Sequence, residues 1–157
     1  MLNIRVAEAN DKAGILSLLK EEGIENISLD DSKLHNSMVI SDGGKIIGYS
    51  QFKEIANENT AVMELLIIKK ELRGQQLGDG LIKSVLNLVD RRQIKKFYVP
   101  ATKDNSLFFK RVGLTKRDLS KSDSIAEYID GTSNKDTIEV YEALLPDFFN
   151  KACKSKR

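Results

Sequence analysis

The stretch ELLIIKKELRGQQLGDGLIKSVLNLV, Glu64 to Val89, decides how the chain is read. It opens as an apolar run, Leu65 to Ile68. It then crosses a basic, glycine-bearing turn, Arg73-Gly74-Gln75-Gln76-Leu77-Gly78, and continues to about Asp90 with helical spacing. Asp79, Lys83, Asn87 and Asp90 form a polar stripe. Leu77, Leu81, Ile82, Val85, Leu86, Leu88 and Val89 leave the rest of the helix apolar, a width that predicts burial against a sheet. Gly80 and Ser84, one turn apart, predict a close approach of backbones. A strand feeding a glycine-bearing turn and then a helix exposes unpaired N–H groups where the helix dipole adds positive partial charge, so it is a ready anion site.

Two nucleotide motifs fail at this turn. Gly74, Gly78 and Gly80 do not have the G-x-G-x-x-G spacing, and a P-loop starting at Gly74 would need glycine where Asp79 stands. On spacing alone, the turn is either a pyrophosphate cradle or merely a tight turn.

Upstream, Leu2, Ile4 and Val6 alternate with polar residues and predict a first strand with one buried face. Asn10 is placed to cap the helix carrying Ile15, Leu16, Leu18 and Leu19, which Gly23 ends. A loop or short helix follows to about Asn36. Its acidic residues, Glu21, Glu22, Glu25, Asp30 and Asp31, read as a solvated face or as a wall for a cationic substrate. Ser37–Ser41 and Lys45–Ile55 flank Asp42-Gly43-Gly44 and predict a hairpin. Asn57-Glu58-Asn59 is a second turn, and Ala61–Ile68 continues an antiparallel meander.

Downstream, Ile94–Pro100 is a strand, so strand, helix and strand make a right-handed βαβ unit with parallel strands. Asp104–Arg111 reads as a short helix ending at Gly113, and Leu114–Asp118 as a strand. The polar stretch Leu119–Asp136 carries a short helix around Ile125–Ile129 and a loop at Gly131–Asn134. Thr137–Leu144 is a last strand paired with the preceding one and stopped by Pro146, followed by a frayed, lysine-rich tail.

The bulk composition narrows the function classes. The 157 residues, 41% hydrophobic and 31% charged, fit one soluble domain spanning residues 1–157. Twenty-five basic against 23 acidic residues leave no electrostatic footprint for nucleic acid. One histidine, His35, and one cysteine, Cys153, argue against a zinc site and against a Ser-His-Asp triad. No apolar run reaches membrane-spanning length and Met1–Glu8 alternates, so the expectation is a cytoplasmic protein with no membrane partner.

The pattern from about Asn3 to Val140 resembles the GNAT superfamily of acetyl-coenzyme A-dependent N-acetyltransferases. Two segments carry the likeness. One is the R-x-x-G-x-G/A turn, here Arg73 to Gly78. The other is ATKDNSLFFKRVGL, in which Thr102 stands at the family's asparagine, Phe108-Phe109 at its Phe-Tyr and Gly113-Leu114 at its Gly-Phe. The resemblance implies an α/β (α+β) fold: a mixed sheet with an antiparallel meander, a βαβ unit with splayed fourth and fifth strands, and flanking helices. It implies acetyl-coenzyme A as cosubstrate and no metal. The pantetheine arm would pair with Leu66, Ile67 and Ile68. The pyrophosphate would sit on Arg73, Gly74, Gln75, Gln76, Leu77 and Gly78, with Asp79, Thr102 and Phe109 completing the coenzyme contacts and Lys69 and Lys70 nearby.

The same likeness assigns the chemistry. Glu64 would be the general base, or else an ordinary strand glutamate facing solvent, and the Ile68 N–H would polarise the thioester carbonyl. Two positions depart from the pattern. Gln76 replaces the first turn glycine, and Phe109 replaces the tyrosine that serves as general acid. Tyr98 is either a substitute acid or a packing residue. A thiol with a pKa of ~8.5 also leaves without help, taking cysteine as a guide. Ala101-Thr102 and Phe108-Phe109 are similar to small bacterial arsenic-resistance and amino-acid N-acetyltransferases, which implies a small amine acceptor. A protein or peptide acceptor and an inactive coenzyme-binding module are the alternatives. Many enzymes of this kind pair through sheet edges or C-terminal strands, so a homodimer is also open.

Overall fold

Gly43 and Gly44 have φ values of 58° and 88°, the left-handed pair that a two-residue hairpin turn requires. That turn joins strands β2 (Ser37–Asp42) and β3 (Lys45–Ile55), which pair antiparallel as the sequence predicts. The computed structural model describes residues 2–25, 27–55, 59–74, 76–102, 105–117, 137–145 and 147–149.

The described chain falls into two compact units, Met1–Lys53 with Met63–Leu88, and Glu54–Val62 with Val89–Arg157. In the first unit, β1 (Leu2–Val6) pairs antiparallel with β2, Leu2 opposite Asp42 and Val6 opposite Met38. The expected buried face of β1 is incomplete. Leu2 is 53% exposed, while Ile4 and Val6 are half-buried, because β1 ends the strand order and has a neighbour on one side alone.

A 3₁₀ turn, Ala9–Asp11, leads into α1 (Lys12–Glu21), and Gly23 (φ 75°) follows the helix end as expected. Asn10 is not the cap. It lies inside the 3₁₀ turn, and Asp11 organises the entry: its Oδ2 accepts from the Glu8 N–H at 2.7 Å and its carboxylate holds Arg5. α2 (Asp31–His35) is a single short helix whose Asp30 side chain accepts from the Lys33 N–H at 2.9 Å. Ile15, Leu18 and Leu19 of α1 join Leu34, Val39, Tyr49 and Ile67 in one buried apolar cluster.

β4 (Thr60–Ile68) runs through a 3₁₀ turn, Lys70–Leu72, into α3 (Leu77–Arg91). Leu81, Ile82, Val85 and Leu86 of α3 are fully buried, which realises the wide apolar face. The close backbone approach expected at Gly80 and Ser84 is absent. Ser84 Oγ donates to the Gly80 carbonyl of its own helix at 2.9 Å, and a methyl group at Gly80 would lie an ordinary 3.5 Å from Ile4 Cδ1.

The second unit is built on β5 (Lys96–Thr102), α4 (Ser106–Val112), β6 (Thr115–Arg117) and β7 (Thr137–Leu144). Thr60–Val62 pair parallel with Lys96–Tyr98, as a βαβ crossover demands. β7 pairs antiparallel with β6, and also with β5 along nearly its whole length, so it is inserted between them. The seven described strands therefore form a mixed sheet in the order β1-β2-β3-β4-β5-β7-β6. Gly113 ends α4 at φ 113°. Asp104, Pro146, Cys153, residues 56–58, the region expected to hold a helix and loop before β7, and the basic tail lie outside the described residues.

Candidate active site

The register of β2 and β3 places Ser37 opposite Gln51 and diagonal to Tyr49. From this follows a chain of polar side chains through an otherwise apolar unit. Ser37 Oγ lies 2.9 Å from the Tyr49 hydroxyl, which donates to Gln51 Oε1 at 2.7 Å. Gln51 Nε2 then donates to Glu64 Oε1 at 3.0 Å. Ser37, Tyr49 and Gln51 are buried; Glu64, on β4, is exposed. Burial raises the Tyr49 pKa to about 12, with a further push from the Glu64 charge and an opposing hydrogen bond from Ser37. Tyr49 is therefore a permanent donor across the working pH range.

Past Glu64, Leu65 and Leu66 are half-buried and Ile67 and Ile68 buried, so the proposed pantetheine segment is the apolar end of β4. Among the described residues its pairing with β5 runs from Thr60 opposite Lys96 to Val62 opposite Tyr98. Arg73 turns back on this end: its Nε donates to the Ile68 carbonyl at 3.0 Å, and its Nη2 lies 2.7 Å from Glu22 Oε1. The acidic stretch after α1 is thus partly neutralised by the turn's own arginine. Lys45 is held below the usual lysine range by the like-charged Lys69 side chain beside it.

The described residues of the turn include two with left-handed backbone. Gly74 and Gln76 adopt φ values of 86° and 64°. Gln76 therefore keeps the left-handed conformation for which the family pattern uses glycine, and its side chain is exposed. Gly80 donates its N–H to the Gln76 carbonyl at 3.2 Å, and the amides of Leu77, Gly78 and Asp79 precede that bond at the helix start. Asp79 pairs with Lys83 at 3.0 Å, which offsets its charge beside this positive helix end. Gln75 lies outside the described residues.

Thr102, Phe109 and Tyr98 belong to the second unit. The Thr102 N–H donates to Asn105 Oδ1 at 2.7 Å, and the Asn105 N–H returns to the Thr102 carbonyl at 3.3 Å, a clasp between β5 and α4 that sequence reasoning missed. Phe109 is buried, 5.2 Å from the Phe108 ring and 6.3 Å from the Tyr141 ring. Tyr98 is buried in a cluster with Val62 and Val140, which favours the packing reading. Among the described residues no group of His, Cys, Asp and Glu is arranged to hold a metal, and no helix is long and apolar enough to cross a membrane.

Comparison with known proteins bears on the fold and on the family. The N-acetylglutamate synthase of Neisseria gonorrhoeae, complexed with coenzyme A and N-acetyl-glutamate, superposes with a TM-score of 0.72 at 18% identity, over 92% of this chain and 35% of that one. A second complex of that synthase is covered to 33%, so the chain spans about a third of the length of these relatives. The ribosomal-protein-S18-alanine N-acetyltransferase of Escherichia coli gives a TM-score of 0.66 at 11% identity, over 92% of this chain and 94% of that one. The PaiA N-acetyltransferase of Thermoplasma acidophilum, in complex with coenzyme A, gives 0.64 at 15%, over 92% and 99%. No curated protein matches the chain. The model of the acetyltransferase (GNAT) family matches residues 8–113, more than half of the sequence and including the Arg73–Gly78 turn; the chain belongs to the GNAT family of acetyltransferases.

Proposed function

We propose that the chain transfers the acetyl group of acetyl-coenzyme A to the amine of a small, amino-acid-like substrate by direct attack. The observation that carries this is the arrangement on one continuous segment. Glu64, held by Gln51, precedes the apolar strand end, and the strand end precedes a turn that opens onto the amides of Leu77 to Asp79.

These residues fit the coenzyme. A pyrophosphate suits amides at a helix start, and an extended amide chain suits the backbone of Leu66 to Ile68. The thioester, when bound, supplies an acyl carbon whose bond to sulfur breaks as the bond to nitrogen forms. Glu64 takes the proton that a substrate ammonium must lose before its nitrogen can attack; a base so placed contributes roughly 10²–10⁴-fold. The Ile68 N–H is assigned to the developing oxyanion. Phe109 has no proton to give and is packed in the interior, so the thiolate would leave without a protein acid, with solvent carrying the second nitrogen proton away and protonating the sulfur. The rest of the reading is one acyltransferase domain over residues 1–157, in the cytoplasm, with a homodimer open and neither nucleic acid nor membrane as partner.

Thermal unfolding with and without acetyl-coenzyme A tests the binding half. A rise in Tm that saturates with coenzyme is expected. No rise at millimolar coenzyme would overturn the assignment of the turn. Free-thiol release over amino acids, spermidine and an alanine-ended peptide then tests the acceptor. Turnover of the peptide alone would replace the small-amine reading with a protein acceptor, and stabilisation without turnover would leave an inactive coenzyme-binding module.

A further inference from the structure

We propose that Gln51 is a positioning residue for Glu64, and that Tyr49 anchors the far end of the Gln51 amide. This rests on the reading of Glu64 as the base.

Donors and acceptors decide the orientation of the amide. A glutamine side chain presents an oxygen at one end and an NH₂ at the other, and a carboxylate requires the NH₂. The Glu64 carboxylate, an acceptor alone, selects that orientation, and the Tyr49 hydroxyl closes the other end of the amide by donating to Gln51 Oε1 at 2.7 Å. The flipped amide would set its NH₂ on Tyr49 and its oxygen against the Glu64 carboxylate, two acceptors in contact. The Ser37 hydroxyl donates to the Lys33 carbonyl at 2.5 Å and lies 2.9 Å from the Tyr49 hydroxyl. Ser37 thereby ties the chain to the last turn of α2.

Burial makes the arrangement hold. Tyr49 and Ser37 are fully buried and Gln51 is 5% exposed, so water does not compete for these groups, and an unmade bond there is costly. Glu64 is at the exposed end of the chain. A glutamate side chain has three rotatable bonds, and a buried donor on Oε1 restricts them. In a proton transfer that depends on hydrogen-bond geometry, that restriction appears in turnover more than in substrate binding.

The test compares Gln51→Leu, Tyr49→Phe and Glu64→Gln, singly and in combination, with the full chain and the amine that the panel turns over. Gln51→Leu is expected to lower kcat about tenfold or more with little change in KM for acetyl-coenzyme A. Tyr49→Phe should act in the same direction and by less. In the Glu64→Gln background, Gln51→Leu should change kcat less than about twofold, because residues acting as one unit are not additive.

Equal factors in both backgrounds, or a loss that follows Tm alone, would overturn the positioning role. If Glu64→Gln turns over at the wild-type rate, the base assignment falls. If Glu64→Gln is slow and Gln51→Leu is not, the positioning claim alone falls. ¹³C relaxation of the Glu64 carboxyl carbon gives a reading that needs no acceptor: ordered in wild type and mobile in Gln51→Leu supports the role, and equal order in both overturns it.

Discussion

Arg73 joins the Ile68 carbonyl, at 3.0 Å, to Glu22 Oε1, at 2.7 Å, so its side chain is engaged in contacts within the chain. The two contacts differ in value. Arg73 is half exposed at its Glu22 end, and such a pair contributes about 0.5 kcal/mol. The carbonyl bond fixes the path of the turn. Glu22→Gln should therefore leave stability within about 0.5 kcal/mol of wild type. Arg73→Ala should weaken acetyl-coenzyme A binding about tenfold by loosening the turn, a loss of ~1.4 kcal/mol. Calorimetric titration and urea unfolding on the same samples separate the two effects.

Two glycines should respond to alanine with opposite signs. At Gly80 a new methyl group meets Ile4 Cδ1 at 3.5 Å, and alanine is the better helix former, so Gly80→Ala should stabilise by about 0.5–1 kcal/mol. At Gly48 the same methyl group would stand 2.8 Å from Ile40 Cδ1 and 3.1 Å from Ile68 Cδ1 in a packed sheet. Gly48→Ala should destabilise by about 1–3 kcal/mol. Denaturant midpoints report both.

Gln76 holds a left-handed backbone, φ 64°, with a side chain that prefers otherwise. Relief of that strain exceeds the added freedom of the unfolded chain, and Gln76→Gly should raise stability by about 0.5 kcal/mol. Coenzyme affinity should be retained, because the turn amides keep their directions. A lower Tm in the glycine variant would show that the exposed glutamine side chain holds the turn.

Asp11 supplies a pH signature. The Arg5 guanidinium, bonded to both carboxylate oxygens at 2.7 and 3.0 Å, holds its pKa below the usual carboxylate range, and the Glu8 N–H adds to this. A depressed folded pKa stabilises fully above the unfolded value, ~3.9, and that stabilisation is lost as pH falls through the folded value. Asp11→Asn should cost about 1–3 kcal/mol at pH 7 and less at acid pH. Urea unfolding at pH 7 and pH 3 measures the difference; equal costs at both would remove the ion pair from the account.

The strand–turn–helix segment was legible because local patterns encode it. The apolar period changes from strand to helix across Arg73–Gly78, and β4 and α3 follow it. The hairpin was legible for the same reason, since Gly43 and Gly44 specify their own turn. The insertion of β7 between β5 and β6 was not, because nothing local to Thr137–Leu144 names its second neighbour. Nor was the Ser37–Tyr49–Gln51–Glu64 chain. It depends on a cross-strand register that includes a shift between Ile40 and Ser41, and on burial of a face that ends in a glutamine. Asn10 was misplaced because an added 3₁₀ turn moves the helix entry to Asp11.

The most direct test is free-thiol release from acetyl-coenzyme A by wild type and Glu64→Gln, with the panel of amino acids as acceptors. The account predicts release that depends on an added amine and falls by about 10² or more in Glu64→Gln. Release that is independent of every amine, or equal in the two proteins, would contradict it.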